Sequence, residues 1–252
     1  MLSWAEQRKF FFVGSVTLFF LVILSIYGAV SFYDAPNCFN NSKDGNERGV
    51  DCGGTCLRVC RADTVPPLVH FARALEVNSG VWGAVAYLEN RNEGAGAINV
   101  PYVLKLYDSE SVLLYERHGK TYIPPRKVFA VFEGKMLSGS RIPARASFEF
   151  TAEPVFSRVQ EPELLVSTRG FVADERGSSL SAVIMNPRRT PVEGIEATAI
   201  LFGSDGNIFA ASATILKQLA GETSATLTFT WPRLLEEPSR IEVLYTVPGR
   251  AE

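Results

Sequence analysis

The residues best suited to chemistry in this sequence lie in one short segment that holds every cysteine of the chain. They are Cys38, Cys52, Cys56 and Cys60. An even, local cluster of this kind predicts two disulfides in an oxidising compartment, although four cysteines allow three pairings and the spacing does not select one. The intervening residues are rich in Gly, Asn and Asp, so they bury little apolar surface. We therefore expect cross-links to supply the order that a hydrophobic core would otherwise give.

Two metal sites are alternatives for the same segment. Zinc sites made of four cysteines usually have two closely spaced pairs, whereas three of these cysteines crowd one end. Calcium is an alternative because Asp44, Asn46, Glu47 and Asp51 offer hard oxygen ligands in a Gly-containing loop. Their spacing does not match an EF-hand loop, and these residue types are also typical of turns. We predict solvated turns and no cofactor.

Outside this segment the sequence has no recognisable catalytic motif. It lacks a nucleophile elbow, a phosphate-binding loop, a zinc-protease helix and a dinucleotide fingerprint. The two histidines, His70 and His118, each lie in or beside a predicted strand, with no neighbouring His or Cys. Carboxylates that could form a glycosidase pair are present, but no spacing selects two of them. These are Glu89, Glu93, Asp108, Glu110 and Glu116. We therefore predict that the protein is not an enzyme.

The charge distribution argues against a nucleic-acid partner. The formal net charge is −2, and the basic residues form only scattered pairs instead of a stripe that would follow phosphates. Two of these pairs, Arg126-Lys127 and Arg188-Arg189, follow prolines in predicted loops. We expect both pairs to be solvated.

An apolar segment ahead of the cysteines predicts a membrane-spanning helix. Residues 10–32 contain no charged side chain, and 23 residues would span roughly 34 Å as a helix, enough to cross a bilayer core. Arg8 and Lys9 lie directly before this segment. By the positive-inside rule, they place the N-terminus in the cytoplasm and the rest of the chain outside the membrane.

A cleaved signal peptide is the alternative to an anchor. The apolar core of a signal peptide usually has 7–15 residues and ends in a small-x-small cleavage site. This segment is longer and ends in Gly28-Ala29-Val30-Ser31, which is a poor site. Cys38 lies too far beyond the apolar segment for a lipoprotein signal. The sequence therefore favours an uncleaved anchor.

The cysteine segment resembles a known motif. The string from Asp44 to Cys56, with Cys38 before it and Cys60 after it, is similar to a cysteine-rich motif with a GVDCGG core. That motif occurs in membrane-anchored surface proteins of uncharacterised candidate-phylum bacteria. The last gap departs from the usual form because it has three residues where two are common. The resemblance implies a surface location and carries no known chemistry.

After a linker, the chain changes to short apolar stretches separated by turn residues, a pattern typical of β-sandwiches. The pattern predicts twelve strands and little helix, with a turn at Leu216–Leu219. The predicted strands are Val69–Val77, Val81–Asn90, Val100–Tyr107, Val112–Glu116, Val128–Glu133, Ser147–Thr151, Leu164–Ala173, Ser179–Asn186, Gly194–Phe202, Ile208–Ile215, Ala225–Thr230 and Arg240–Val247.

The strands form two similar series, which predicts an internal repeat. Ala84–Asn90 parallels Ser181–Asn186, and each ends in an Asn that we interpret as a turn former. The segment from Phe148 to Thr151 parallels that from Leu227 to Thr230, and an insertion around 134–145 shortens the later register.

The first series also resembles the FxLYD-type and related immunoglobulin-like repeats of bacterial envelope proteins. Leu106-Tyr107-Asp108 matches the core of that pattern, and Leu201-Phe202-Gly203 departs from it. Each series has about the size of an immunoglobulin-like sandwich. The resemblance implies two tandem immunoglobulin-like domains.

Together these features predict a mainly β protein with one transmembrane helix. The predicted parts are a cytoplasmic N-terminus (1–9), the helix (10–32), a cysteine-rich module with linker (33–63) and two β-sandwiches (64–160 and 161–252). We expect a non-catalytic envelope protein, embedded in the bilayer, that binds or positions a protein partner outside the membrane. An accessory subunit of a pilus, secretion or transport assembly is the alternative. An envelope carbohydrate-active enzyme is a more remote one.

Overall fold

A computed structural model describes residues 4–32, 37–137 and 141–248 of the chain. An α-helix, α1 (Trp4–Phe32), comes first, and the cysteine segment and a short 3-10 turn (Arg61–Asp63) precede the strands. Parts of the predicted N-terminus, linker, insertion and C-terminus lie outside the described residues. These parts are residues 1–3, 33–36, 138–140 and 249–252.

The β region begins at Leu68, and all twelve predicted strands are present. The first six are β1 (Leu68–Asn78), β2 (Val81–Asn90), β3 (Ala95–Tyr107), β4 (Leu113–Ile123), β5 (Lys127–Leu137) and β6 (Arg145–Phe150). The rest are β7 (Ser157–Arg158), β8 (Leu165–Asp174), β9 (Gly177–Met185), β10 (Val192–Phe202), β11 (Ile208–Leu219), β12 (Ser224–Trp231) and β13 (Arg240–Thr246). The short strand β7 was not predicted.

The turn predicted at Leu216–Leu219 is wrong. Strand β11 continues to Leu219, which lies opposite Val192 of β10. The reason is that β10 begins early, at Val192, and offers hydrogen-bonding groups along this whole stretch. Backbone partners on a neighbouring strand extend β11 beyond what its local sequence indicates.

The strands form two sets with the same order. Sheet β1-β2-β5 packs face to face with sheet β4-β3-β6, and sheet β8-β9-β12 packs face to face with sheet β11-β10-β13. Neighbouring strands are antiparallel throughout these sheets. We call the first pair of sheets, β1 to β6, the first sandwich, and the second pair, β8 to β13, the second sandwich. The predicted mainly β fold is confirmed.

One predicted equivalence between the two series is wrong. Residues 148–150 lie in β6, whereas residues 227–230 lie in β12. By strand order the counterpart of β12 is β5, and the counterpart of β6 is β13. The alternation of large apolar and polar residues indicates a strand with one buried face, and it does not identify which strand of the sheet that is.

Each sandwich has its own hydrophobic core. In the first, Leu88 and Leu104 from facing sheets are fully buried, together with Phe129. In the second, the corresponding cluster includes Ile184 and Phe229. The alternate residues of each strand point into these cores, as expected where two sheets pack face to face.

Sheets β1-β2-β5 and β11-β10-β13 are also buried on the faces that point away from their own cores. Along β2, Leu88 faces the first core, whereas Val85 belongs to a third cluster that it shares with Ile200 and Phe202 of β10. Sheet β1-β2-β5 therefore packs against sheet β11-β10-β13, which gives four stacked layers. We call the packed faces of these two sheets the inter-sandwich interface.

Candidate functional site

The helix α1 is apolar and uncovered by the rest of the chain. Its segment Glu6–Ser31 is long and apolar enough to cross a membrane, and none of its most apolar window is buried against protein. Arg8 and Lys9 lie inside the helix, because α1 begins at Trp4 and not at residue 10. Glu, Gln, Arg and Lys are good helix formers, so the helix extends through these charged residues.

All four cysteines form disulfides, as predicted. Cys38 pairs with Cys56 and Cys52 pairs with Cys60. The two bridges overlap in sequence, so they tie both ends of the segment to its middle. We call residues 37–63 the cysteine module.

The acidic residues proposed as calcium ligands accept hydrogen bonds from the module's own backbone. The Asp51 carboxylate accepts the N–H of Asn40 at 3.0 Å and that of Asn41 at 2.9 Å. Asp44 accepts the side-chain amide of Asn40 at 2.6 Å. The buried Glu47 accepts the N–H of Asp51 at 3.1 Å. Charge-assisted bonds of this kind are strong, so these carboxylates hold the loop together.

The metal-binding potential of the module is limited by the disulfides. Among the described residues, the His, Cys, Asp and Glu side chains close enough to share one metal ion are Cys38, Glu47 and Cys56. The two sulfurs are bonded to each other, so neither is a thiolate ligand. Asp44 and Asp51 lie outside that group, and Asn46 is exposed. The expectation of no cofactor, with calcium at these residues as the alternative, stays a prediction.

The double glycine of the GVDCGG core has a steric cause. Gly54 has a φ of +57°, a conformation that favours glycine, and a Cβ there would lie 1.8 Å from the Asn46 carbonyl oxygen. The loop carrying the acidic residues can therefore close only over a residue without a side chain.

The cysteine module is fastened to the first sandwich. The Val59 N–H donates to the Phe156 carbonyl at 3.0 Å, and the Arg158 N–H donates to the Leu57 carbonyl at 2.8 Å. The Val59 side chain packs against the first core. The module thus continues a sheet edge and is not an independent stalk.

An asparagine pair secures the chain as it enters the first sandwich. Asn92 accepts the Val65 N–H and donates to the Val65 carbonyl, both at 2.8 Å. Asn90, which is buried, donates to the carbonyls of Ala95 and Pro124 at 2.8 and 2.7 Å. The predicted turn former is thus also a link between loop and neighbouring strand.

A buried ion pair lies where the two sandwiches join. The Lys127 ammonium is 3.4 Å from Glu161, and their side chains are 24% and 7% exposed. The same ammonium lies 3.3 Å from the centre of the Tyr245 ring, and Glu161 accepts the Val247 N–H at 2.7 Å. Burial lowers the pKa of Lys127 and raises that of Glu161, while their mutual attraction opposes both shifts.

This junction was missed at the sequence level. Lys127 was expected in a solvated loop, but it begins β5 and is mostly buried. Glu161 lies 34 residues away along the chain, and nothing in either local sequence indicates the other.

A cleft of about 210 Å³ opens between the sandwiches beside the inter-sandwich interface. Tyr102, Lys120, Glu196 and Thr214 contribute to its lining. Tyr102 donates a hydrogen bond to Glu133 at 2.7 Å, and burial raises the pKa of Tyr102 and of Glu196. The described lining residues include no histidine or cysteine, so a nucleophile activated by either type is not assembled from them.

The scattered carboxylates are mostly paired with basic groups. Glu89 binds Arg91 and His70, and these hydrogen bonds, that of Arg91 foremost, lower its pKa. Glu110 donates its backbone N–H to Asp108. The remaining pairs are Glu93–Arg126, Asp108–Arg141 and Glu116–His118. These contacts give four of the five carboxylates, all but that of Glu110, a structural partner. The prediction that the protein is not an enzyme stays a prediction.

Comparison with known proteins identifies no family. No family model and no curated protein matches the chain. Among solved structures, a red sea bream transglutaminase is similar at 14% identity and a TM-score of 0.25, over 73% of this chain and 31% of the other. At that TM-score the likeness carries no argument about fold or activity. The chain is thus described by its own architecture, an apolar helix followed by a disulfide-bonded module and two stacked β-sandwiches.

Proposed function

We propose that the chain is a non-catalytic, single-pass membrane protein that displays its two sandwiches outside the membrane to bind or position a partner. The observation that carries the proposal is the uncovered helix α1, followed directly by a disulfide-bonded module. Phe10 and Phe11 are each 80% exposed, and Leu24 is 66% exposed. Apolar surface in water costs about 25 cal/mol per Å², so this helix requires an apolar environment.

The charges and the disulfides support the same orientation. Arg8 and Lys9 precede the apolar segment, and the positive-inside rule assigns that end to the cytoplasm. The disulfides follow the segment, and they persist in oxidising compartments outside the cytoplasm. The two arguments rest on different residues and agree.

The polar residues of the helix favour a simple anchor over an assembly subunit. The hydroxyls of Ser15, Thr17 and Ser25 donate to carbonyls of the preceding helical turn at 2.9, 2.8 and 2.5 Å. They are satisfied within the helix and need no hydrogen bonds from a second helix. We assign partner binding to the part outside the membrane because it holds the exposed loops and sheet edges.

The strand order supports the immunoglobulin-like interpretation of the displayed part. Sheets β1-β2-β5 and β4-β3-β6 match the A-B-E and C′-C-F strands of such sandwiches, and the second sandwich repeats the order. Domains of this architecture serve as binding modules on many cell surfaces, with contacts made by loops and sheet edges.

Topology mapping tests the proposal. The full chain is expressed with different epitopes at its two ends, and the membrane fraction is washed with alkaline carbonate. We expect the protein to stay in the pellet, and protease added outside the cell to remove the C-terminal epitope only. Release of a chain that starts near residue 30 would mean a cleaved signal peptide. Digestion of the N-terminal epitope from outside would reverse the orientation.

A paired variant sharpens the orientation test. The double substitution Arg8→Gln and Lys9→Gln removes the positive charges before the apolar segment, so a fraction of molecules should insert in the opposite direction. Arg176→Gln, an exposed change in the second sandwich, is the control and should leave the orientation unchanged.

A further inference from the structure

The cysteine module carries exposed apolar side chains that its own fold does not use. Phe39 is 84% exposed, Val50 53% and Leu57 48%. The buried side chains of the module are instead those of Cys56, Cys60 and Glu47. A segment with so little apolar surface to bury would be expected to bury a phenylalanine if it only had to fold.

Covalent and hydrogen bonds hold the backbone around these three residues together. Phe39 follows Cys38, whose disulfide to Cys56 brings the Cα atoms within 5.7 Å and so draws in Leu57. Val50 precedes Asp51, and the Asp51 carboxylate accepts the N–H of Asn40, the residue after Phe39, at 3.0 Å. The backbone positions of these exposed apolar residues are thus fixed by bonds other than hydrophobic packing.

The position of the module in the chain indicates what these residues contact. Helix α1 ends at Phe32, and six Cα–Cα steps separate it from Cys38. Six steps reach at most about 22 Å. The polar headgroup layer on one side of a bilayer is roughly 5–8 Å thick. With the helix in the membrane, the module therefore cannot move far from the headgroups.

Two basic side chains complement a surface of lipid phosphates. Lys43 and Arg58 are exposed and form no ion pair with another described residue. The acidic residues Asp44, Glu47 and Asp51 are occupied by hydrogen bonds within the module. Residues 37–63 carry four basic and four acidic side chains, so the module is formally neutral, and Lys43 and Arg58 are the positive groups that can meet anionic headgroups.

We propose that the cysteine module rests on the outer surface of the bilayer, with Phe39, Val50 and Leu57 in the interfacial layer. Aromatic and aliphatic side chains are favoured there, and aromatic rings are favoured at headgroup level. This inference rests on the membrane anchoring proposed above. It adds a second attachment point, so the first sandwich, which is fastened to the module, is held in a defined orientation on the membrane.

Photo-crosslinking in the full-length chain tests this contact. p-Benzoylphenylalanine is introduced at Phe39 and, in a second variant, at Val50. Controls place it at Phe20, in the middle of the helix and 63% exposed, and at Ile215, in the second sandwich and 68% exposed. Each variant is reconstituted in nanodiscs of mixed zwitterionic and anionic phospholipid. The unreduced mass verifies that both disulfides have formed before irradiation.

We expect lipid adducts at positions 20, 39 and 50, several-fold more abundant than at position 215. Lipid adducts at position 20 with none at 39 or 50 would overturn the surface contact and leave the anchor intact. A protein adduct in place of lipid at position 39 would also overturn it, and would identify a second copy or another partner as the occupant. No lipid adduct at position 20 would overturn the anchor itself, and with it this inference.

Discussion

The two sandwiches share one strand order but differ in what is attached to them. The first is bound on three sides, by the cysteine module, by Asn92 holding Val65, and by the second sandwich. The second sandwich meets the rest of the chain mainly through sheet β11-β10-β13. Its outer strand β8 is largely exposed, including Leu165 and Val172 at 55% and 61%. The first sandwich is thus held in place by its neighbours, and the second offers the sheet surface that is more accessible to a partner.

The difference is visible at one pair of equivalent residues. Asn90 ends β2, and Asn186 directly follows β9. Both are buried, and both donate from the side-chain amide to a carbonyl at or just after the end of another strand. Two residues later the copies diverge. Asn92 binds the incoming linker, whereas Arg188 is exposed. The shared residues maintain the sandwich, and the divergent ones set its surroundings.

The largest effect is expected where the two sandwiches join. Lys127→Met would leave Glu161 charged and buried without its partner, which should lower the free energy of unfolding by about 3–5 kcal/mol. Urea unfolding in mild detergent, followed by tryptophan fluorescence, measures the change. Adding Glu161→Gln removes the orphaned charge and keeps an acceptor for Val247, so most of the loss should be recovered.

An exposed ion pair is the control for this prediction. Arg61 and Glu153 lie 2.6 Å apart with side chains 83% and 58% exposed, so Arg61→Gln should cost at most about 1 kcal/mol. A comparable loss for Lys127→Met and Arg61→Gln would contradict the importance of the buried junction.

Removing a disulfide should affect the cysteine module alone. The Cys52–Cys60 bridge joins residues eight apart, and a loop of that size corresponds to roughly 2–3 kcal/mol of stabilisation. We expect Cys52→Ser with Cys60→Ser to make the module sensitive to protease while β circular dichroism is retained. If the β signal of both sandwiches were lost, the module would be essential to the entire fold and not only to its attachment.

The asparagine pair allows the two sandwiches to be compared directly. Asn90→Ala and Asn186→Ala each leave buried carbonyls without a donor, at a cost of about 1–3 kcal/mol. We expect Asn90→Ala also to loosen the linker, since its amide oxygen accepts hydrogen bonds from Asn92. Hydrogen exchange at Val65 should therefore increase in the Asn90 variant only. Equal exchange in both variants would remove this distinction between the sandwiches.

The smallest expected effect is a loss of folding stability at acidic pH. The N–H groups of Val112 and Glu110 and the Arg141 guanidinium lower the pKa of Asp108, and hydrogen bonds from Asn207 lower that of Asp205 in the equivalent turn. A lowered pKa contributes stability that is present above the unfolded value, about 3.9, and is lost as pH falls through the folded value. Asp108→Asn should flatten the stability profile below about pH 4. An unchanged slope would exclude Asp108 as a contributor.

The positions of the strands could be predicted from the sequence more fully than the contacts between strands and loops. Alternation of apolar and polar residues located every major strand, because each packs some of its side chains against a hydrophobic core. It could not show that the two faces of β2 are buried against different partners. Leu88 faces the core of its own sandwich, and Val85 faces the other sandwich. The disulfide pairing was also beyond the sequence, as was the use of Asp51 and Glu47 as acceptors for backbone N–H groups. Those depend on which loop segments meet, and turn-forming residues do not specify that.

The inter-sandwich interface has a consequence for how the protein is made. Synthesis runs from the N-terminus, so sheet β1-β2-β5 is complete before β10, β11 and β13 exist. Until then Leu75 and Val85 face solvent instead of Ile200. Exposed apolar sheet faces in partly made chains are prone to aggregate or to bind chaperones. The first half of the molecule is thus a nascent-chain intermediate that needs protection, and the arrival of residues 192–246 is the step that ends this need.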